Sequence, residues 1–246
     1  MAHDSEPVEP ARAHTSSPLA IALAGLTALG VANGIGRFAF TPILPMMQQD
    51  ALVSVGQGKS LASANYLGYL LGALSAVTLR IRATTATRAE LMVIALVTVG
   101  MGLKRSFAAW LVLRALAGVG SAWVFVFASA WALGKLSAVG RPLLCGTVFA
   151  GVGTGIAVAG VSCVVLMQWG AGAPMAWQGL GVIALVGTTA IWRTLRVDGA
   201  NSQVQRQRQS GQGYRWNFDS VRLVLCYGAS GFGGAASRHL CRRPKW

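Results

Sequence analysis

Charge is what this sequence has least of. Asp, Glu, Lys and Arg make up 11% of its 246 residues, against about 25% in an ordinary soluble domain. Acids are scarcer still, with seven Asp and Glu against 21 Lys and Arg. Asp4, Glu6, Glu9, Asp50, Glu90, Asp198 and Asp219 fall in the N-terminal tail, between apolar blocks or at block edges, so no carboxylate pair is offered for acid–base chemistry. Histidine is confined to the tails, at positions 3, 14 and 239. Cys145, Cys163, Cys226 and Cys241 have no CxxC spacing, which leaves neither a metal cluster nor a disulfide framework. No Cys/His pair or nucleophile elbow is present, so no enzyme is indicated. The run GVGTGIAVAG at 151–160 approaches a dinucleotide fingerprint. It lies inside an apolar span, however, with no soluble strand before it and no acid after it, so no cofactor is expected. The opening MAHDSEPVEPARAHTSS lacks the basic start of a secretory signal.

What the chain has is apolar length. Hydrophobic residues make up 54% of it, in blocks near 18–47, 58–79, 89–103, 107–133, 142–168 and 175–195, most of them long enough for the roughly 20 residues that cross a bilayer. The third block is the shortest. The net charge of +14 is not a nucleic-acid signal, because the basic residues flank the blocks. Lys and Arg number eleven in the tail, the second and fourth gaps and the stretch after block six. Lys59, Lys104 and Arg105 are the three on the opposite side. This bias predicts a multi-pass inner-membrane protein, with the N-terminus and the 196–217 segment cytoplasmic. The expected organisation is a tail over 1–17, an all-α six-helix membrane bundle over 18–195, a polar linker over 196–217 and an incomplete seventh helix over 218–246. The lipid bilayer is the first partner.

Two arginines lie inside blocks, Arg37 in the first and Arg114 in the fourth. A charge at the centre of a membrane helix costs about 2.5–3.5 kcal/mol on insertion scales and normally faces a bundle interior or a watery cavity. Snorkelling to an interface is the alternative, closer for Arg114, which is near its block's start. Asn33, Arg37 and Thr41 are spaced by four, which puts them on one face of an α-helix that is otherwise apolar. In the second block Ser63, Tyr66 and Tyr69 recur at helical spacing beside Asn65, either lining a path or belonging to an interfacial belt. The candidate transport path is therefore Asn33, Arg37, Thr41, Tyr66, Tyr69 and Arg114. Gly68 and Gly72 form GxxxG in the second block, and Gly151 and Gly155 do so in the fifth. Such pairs let two backbones approach closely.

GIGRFAFTPILPMM (34–47), ANYLGYLLGAL (64–74), RALAGVGSAWVFVFASAW (114–131) and the glycine-rich fifth block together resemble the N-terminal half of a major facilitator superfamily transporter, of the YbfB/YjiJ-type branch. The resemblance implies two six-helix halves joined by a cytoplasmic linker, with a small-molecule substrate bound between them. Arg114 with Gly118 and Gly120 resembles the superfamily's fourth-helix RxxxG motif, which is linked to proton coupling. Two features depart from the pattern. RIRATTATRAE (80–90) keeps only the basic residues of the usual loop signature, and the fifth helix lacks the usual proline.

Inverted or parallel repeats relate the halves of such carriers, so a seventh helix should echo the first. YGASGFG (227–233) parallels VANGIGR (31–37), but GAASRHLC then replaces TPILP. A shifted frame from the Ala236 codon can restore a Leu-Pro at the matching distance. The expectation is a frameshifted, truncated half-transporter that is inactive alone. The alternative is a genuine short protein with an unrelated tail, which self-associates without transporting.

Overall fold

The structure is a computed structural model, and it describes residues 17–50, 52–79 and 81–197. Within them the chain forms six long helices and no strand: α1 (Pro18–Gln49), α2 (Val55–Thr78), α3 (Ala83–Leu103), α4 (Phe107–Ala138), α5 (Leu144–Gln168) and α6 (Ala173–Val197). The 196–217 linker, all but its first two residues, and the expected seventh helix lie outside the described residues, as does the tail over 1–16.

Five of the six helices are long and apolar enough to cross a membrane. The exception is α2, where Gln57, Lys59, Ser60, Ser63, Asn65 and the two tyrosines dilute the leucines. The outward surface is apolar, with Leu70, Leu74 and Val77 on α2, Val161 and Val164 on α5 and Val182 and Val186 on α6 exposed. A soluble protein would not leave so much apolar surface uncovered. Lipid is the environment that satisfies it.

Each helix begins where its sequence allows. Pro18 opens α1 behind Ser17, whose hydroxyl accepts from the Ala20 amide at 3.2 Å. Ser54 and Gln57 cap α2 reciprocally, at 3.2 and 2.9 Å. The N-terminus of α6 is capped across the chain, as Asp50 Oδ2 accepts from the Ala173 amide at 2.6 Å. Trp110 on α4 donates to the Met101 and Lys104 carbonyls, at 3.1 and 2.9 Å, and closes the end of α3.

The largest departures from the expected boundaries are at the end of α4, which runs five residues past its block to Ala138, and at the start of α3. Helix α3 starts at Ala83, six residues before its apolar block. Thr84 and Thr87 are buried, and the Thr87 hydroxyl donates to the Ala83 carbonyl at 2.8 Å. Threonines that bond within their own helix do not need water, so the polar turn stays helical and packed. Glu90, placed at a block edge by composition, is therefore eight residues into a helix.

The core runs through all six helices. Leu29, Ile43 and Met47 of α1 meet Leu61 of α2, Leu91 and Ile94 of α3, Val124 of α4, Val148 of α5 and Trp177 of α6. Glycine sets two of the crossings. A Cβ on Gly68 would overlap the Ala115 carbonyl, and one on Gly118 the Asn65 carbonyl, so α2 and α4 touch backbone to backbone. Gly151 lies against Leu26, and Gly155 against Gly30 and Gly34, so α5 and α1 do the same.

Candidate functional site

Helix α1 is not a uniform α-helix. Residues Gly30–Phe38 are π-helical, between α-helical Pro18–Leu29 and Phe40–Gln49. A π segment is a widened turn that often occurs at functional sites. The sequence explains where it falls. Pro42 and Pro45 have no N–H to give the preceding turn, while Gly30, Gly34 and Gly36 leave the wide turn free of side chains.

Helix α4 supplies donors to this irregular backbone. The Arg114 guanidinium donates from Nη1 to the Gly36 carbonyl and from Nη2 to the Arg37 carbonyl, both at 3.2 Å. Ser121 Oγ lies 2.7 Å from the Ala32 carbonyl and 2.7 Å from its own Ala117 carbonyl. Asn65 on α2 donates to the Arg114 carbonyl at 2.9 Å. Arg114 is 3% exposed and lies over the Phe40 ring at 4.8 Å. It is buried between helices.

Arg37 is held differently. Its guanidinium sits over the rings of Tyr69, Tyr66 and Phe38, at 4.0, 5.2 and 5.2 Å from the centroids. No carboxylate or carbonyl accepts from it among the described residues, and its Nε is buried without a partner. Cation–π contact offsets part of the cost of desolvating the charge but satisfies none of the five N–H donors. Arg37 is half-buried and Tyr69 likewise, while Tyr66 is 56% exposed.

The other path candidates are spread along this face. Asn33 is 3% exposed, and its Nδ2 is unpartnered. Thr41 is exposed. The α-helical spacing does not hold here, because Gly30–Phe38 is π-helical, but burial falls from Asn33 through Arg37 to Thr41. Arg37, Tyr66 and Tyr69 form one cluster, and Arg114 lies behind it. A gap beside Arg114, lined by Gly36, Thr98, Met101 and Trp177 among others, is too narrow for a water molecule. A solute would have to meet the Arg37 cluster from its open side. Gly68, Gly118, Gly151 and Gly155 hold the α2–α4 and α1–α5 contacts. Gly72 lies against Val119, and Gly120 against Glu90 and Ile94.

The sequence reading missed Ser121 and Glu90, although spacing reaches both. Ser121 is two turns from Arg114 on one face of α4. Stepping back by four from Ile94 lands on Glu90. Asp50 and its partner Ala173, 123 residues apart, have no such local signal.

The fold is that of a multi-pass, all-α membrane protein. The family model described as "Uncharacterised MFS-type transporter YbfB" matches residues 29–236, and the chain belongs to that family. No curated protein and no solved structure matches it. Transmembrane transport is accordingly its class of function.

Proposed function

We propose that the six helices are one half of a secondary transporter for a small anionic solute, with Arg37 as the anion-recognising side chain. The observation that carries this reading is a positive charge inside a membrane helix that, among the described residues, is held by aromatic rings and by no hydrogen-bond acceptor. A carboxylate or similar planar anion would fill the guanidinium fork with charge-assisted bonds, while Tyr66 and Tyr69 flank it. Asn33 and Thr41 extend the path on either side, and Arg114 fixes the backbone that carries Arg37. Carriers of this kind move solute by rocking two halves around a midplane site. The 246-residue chain alone is therefore expected to bind solute and not to move it. Its N-terminus and 196–217 segment are assigned to the cytoplasmic side of an inner membrane.

The test uses benzoate as the probe, with benzylamine as the cationic control. A ligand that binds only the folded state raises the melting temperature in proportion to the logarithm of its excess over Kd. Benzoate should stabilise the purified chain in a concentration-dependent way, benzylamine should not, and Arg37→Gln should abolish the effect. Equal stabilisation of Arg37→Gln would sink the reading. Solute uptake by proteoliposomes holding only this chain would overturn the requirement for a second half.

A second reading, self-association without transport, has one observation in its favour. Gly146, Gly153 and Gly160 have open space at the Cβ position, on a part of α5 where another helix can approach closely. Two differently tagged copies co-purifying as a defined dimer would support it.

A further inference from the structure

Glu90 is the one acid within the six helices, and the proposed function leaves it without a role. It lies seven residues past Ala83, about 10 Å along the axis of α3 at 1.5 Å per residue. Asp50, at the end of α1, is the only other acid among the described residues. Glu90 is half-buried and makes no hydrogen bond or ion pair within them. Its Oε2 lies 2.8 Å from where a Cβ on Gly120 would be, so the absent side chain of that glycine is what gives the carboxylate its room. One turn further on, Ile94 packs against both Gly120 and Gly36. The carboxylate thus sits beside the crossing of α3, α4 and the π segment of α1.

The ionisable neighbours are few. On α3 the nearest is Arg88, whose guanidinium lies over Trp192 of α6 at 3.9 Å. On α4 they are Arg114, six residues before Gly120 and bonded to α1 carbonyls, and Lys135, fifteen residues beyond Gly120. From α1 comes Arg37, held on the α2 tyrosines. From α6 comes Arg193, which is exposed. Among the described residues Arg37, Arg88 and Arg114 are held on aromatic rings or α1 carbonyls and not on Glu90.

A lone carboxylate in a membrane helix is expensive to keep and marks an ion pathway by default. A metal cation would want several oxygens around it, about six for Ca2+ or Mg2+, and no group of three His, Cys, Asp or Glu side chains exists among the described residues. A proton needs one oxygen. We propose that Glu90 is a reversible proton-binding site of this carrier, loaded from water and seated in the space left by Gly120. One proton passes from hydronium to one carboxylate oxygen and returns the same way, with no further reactant. In the carrier reading this makes Glu90 the coupling group, and its protonation does not depend on that reading.

The test is covalent labelling of the full chain in lipid nanodiscs with dicyclohexylcarbodiimide, a hydrophobic reagent for protonated carboxyls. The acid proton moves to a carbodiimide nitrogen, the carboxylate oxygen adds to the central carbon, and the adduct rearranges to a stable N-acylurea that mass spectrometry locates. Labelling, followed between about pH 5 and 9, is expected on Glu90 and should fall as the pH rises, because only the protonated carboxyl reacts. A water-soluble carbodiimide should label it far less. Glu90→Gln should remove the label without altering the melting temperature by more than about 2 °C. Gly120→Ala should change the labelling rate, because the new methyl takes the carboxylate's space. No label anywhere in that range, label without pH dependence, or equal labelling by the water-soluble reagent would each overturn the proposal. Benzoate stabilisation lost with labelling retained would refute the Arg37 reading alone. The reverse result would refute this one alone.

Discussion

Gly68→Ala adds one methyl group at the tightest part of the α2–α4 contact. The added Cβ meets the carbonyl of Ala115, which is helix backbone and cannot swing aside. The helices must separate, stretching the 2.9 Å bond from Asn65 to the Arg114 carbonyl. Overpacking of this kind costs about 1–3 kcal/mol, and a backbone neighbour puts it at the upper end. Alanine returns about 0.5–1 kcal/mol in helix propensity, so the net loss is about 2 kcal/mol. For a chain of this size that lowers the melting temperature by roughly 4–8 °C. Gly153→Ala is the matched control, since nothing lies within 4 Å of its Cβ position, and it should be neutral or slightly stabilising. The assay is thermal unfolding of both variants in one detergent, followed by near-ultraviolet circular dichroism. Separation of α2 should also draw Tyr66 and Tyr69 off Arg37 and weaken the benzoate effect. If Gly68→Ala melts with Gly153→Ala, the helices are not in backbone contact, and the account of how Arg37 is held fails with it.

Two further outcomes follow from single contacts and a third from the charge bias. Asp50→Ala removes the cap on α6 and should cost about 1 kcal/mol, while Asp50→Asn, which keeps an acceptor oxygen, should recover part of it in the same melts. Ser121→Ala leaves the Ala32 carbonyl without its α4 donor and should cost about 1 kcal/mol, with faster hydrogen exchange confined to the π segment. In a cysteine-free background, single cysteines at positions 59 and 141 should react with an impermeant maleimide from opposite sides of the membrane. Labelling of both from one side would refute the charge-based orientation.

The helices were legible because membrane solvation writes its demand into local composition: an apolar block of sufficient length is a helix wherever it lies. Helix ends were less legible. At α3 Thr87 satisfies its own hydroxyl within the helix, so the helix starts six residues before its apolar block and takes in Glu90. Arg37 was visible as a charge out of place, and Tyr66 and Tyr69 by their spacing. Their meeting was not visible, because it depends on the α2–α4 glycine contact that brings α2 close to α1. The π segment was hidden for a different reason. Its glycines and prolines permit it, but the Arg114 and Ser121 donors that meet its carbonyls come from 77 to 89 residues away.

That separation has a consequence for how the chain is made. At about 5–20 residues per second, a ribosome takes roughly 4–18 s to travel from the carbonyls of α1 to the side chains on α4 that will bond them. For that interval α1 holds an incomplete backbone ladder, with α2 made partway through it and the α4 donors not yet made. The first helix to emerge is thus among the last to be finished. It can settle fully into lipid only once the fourth has arrived, and until then the insertion machinery must shelter it.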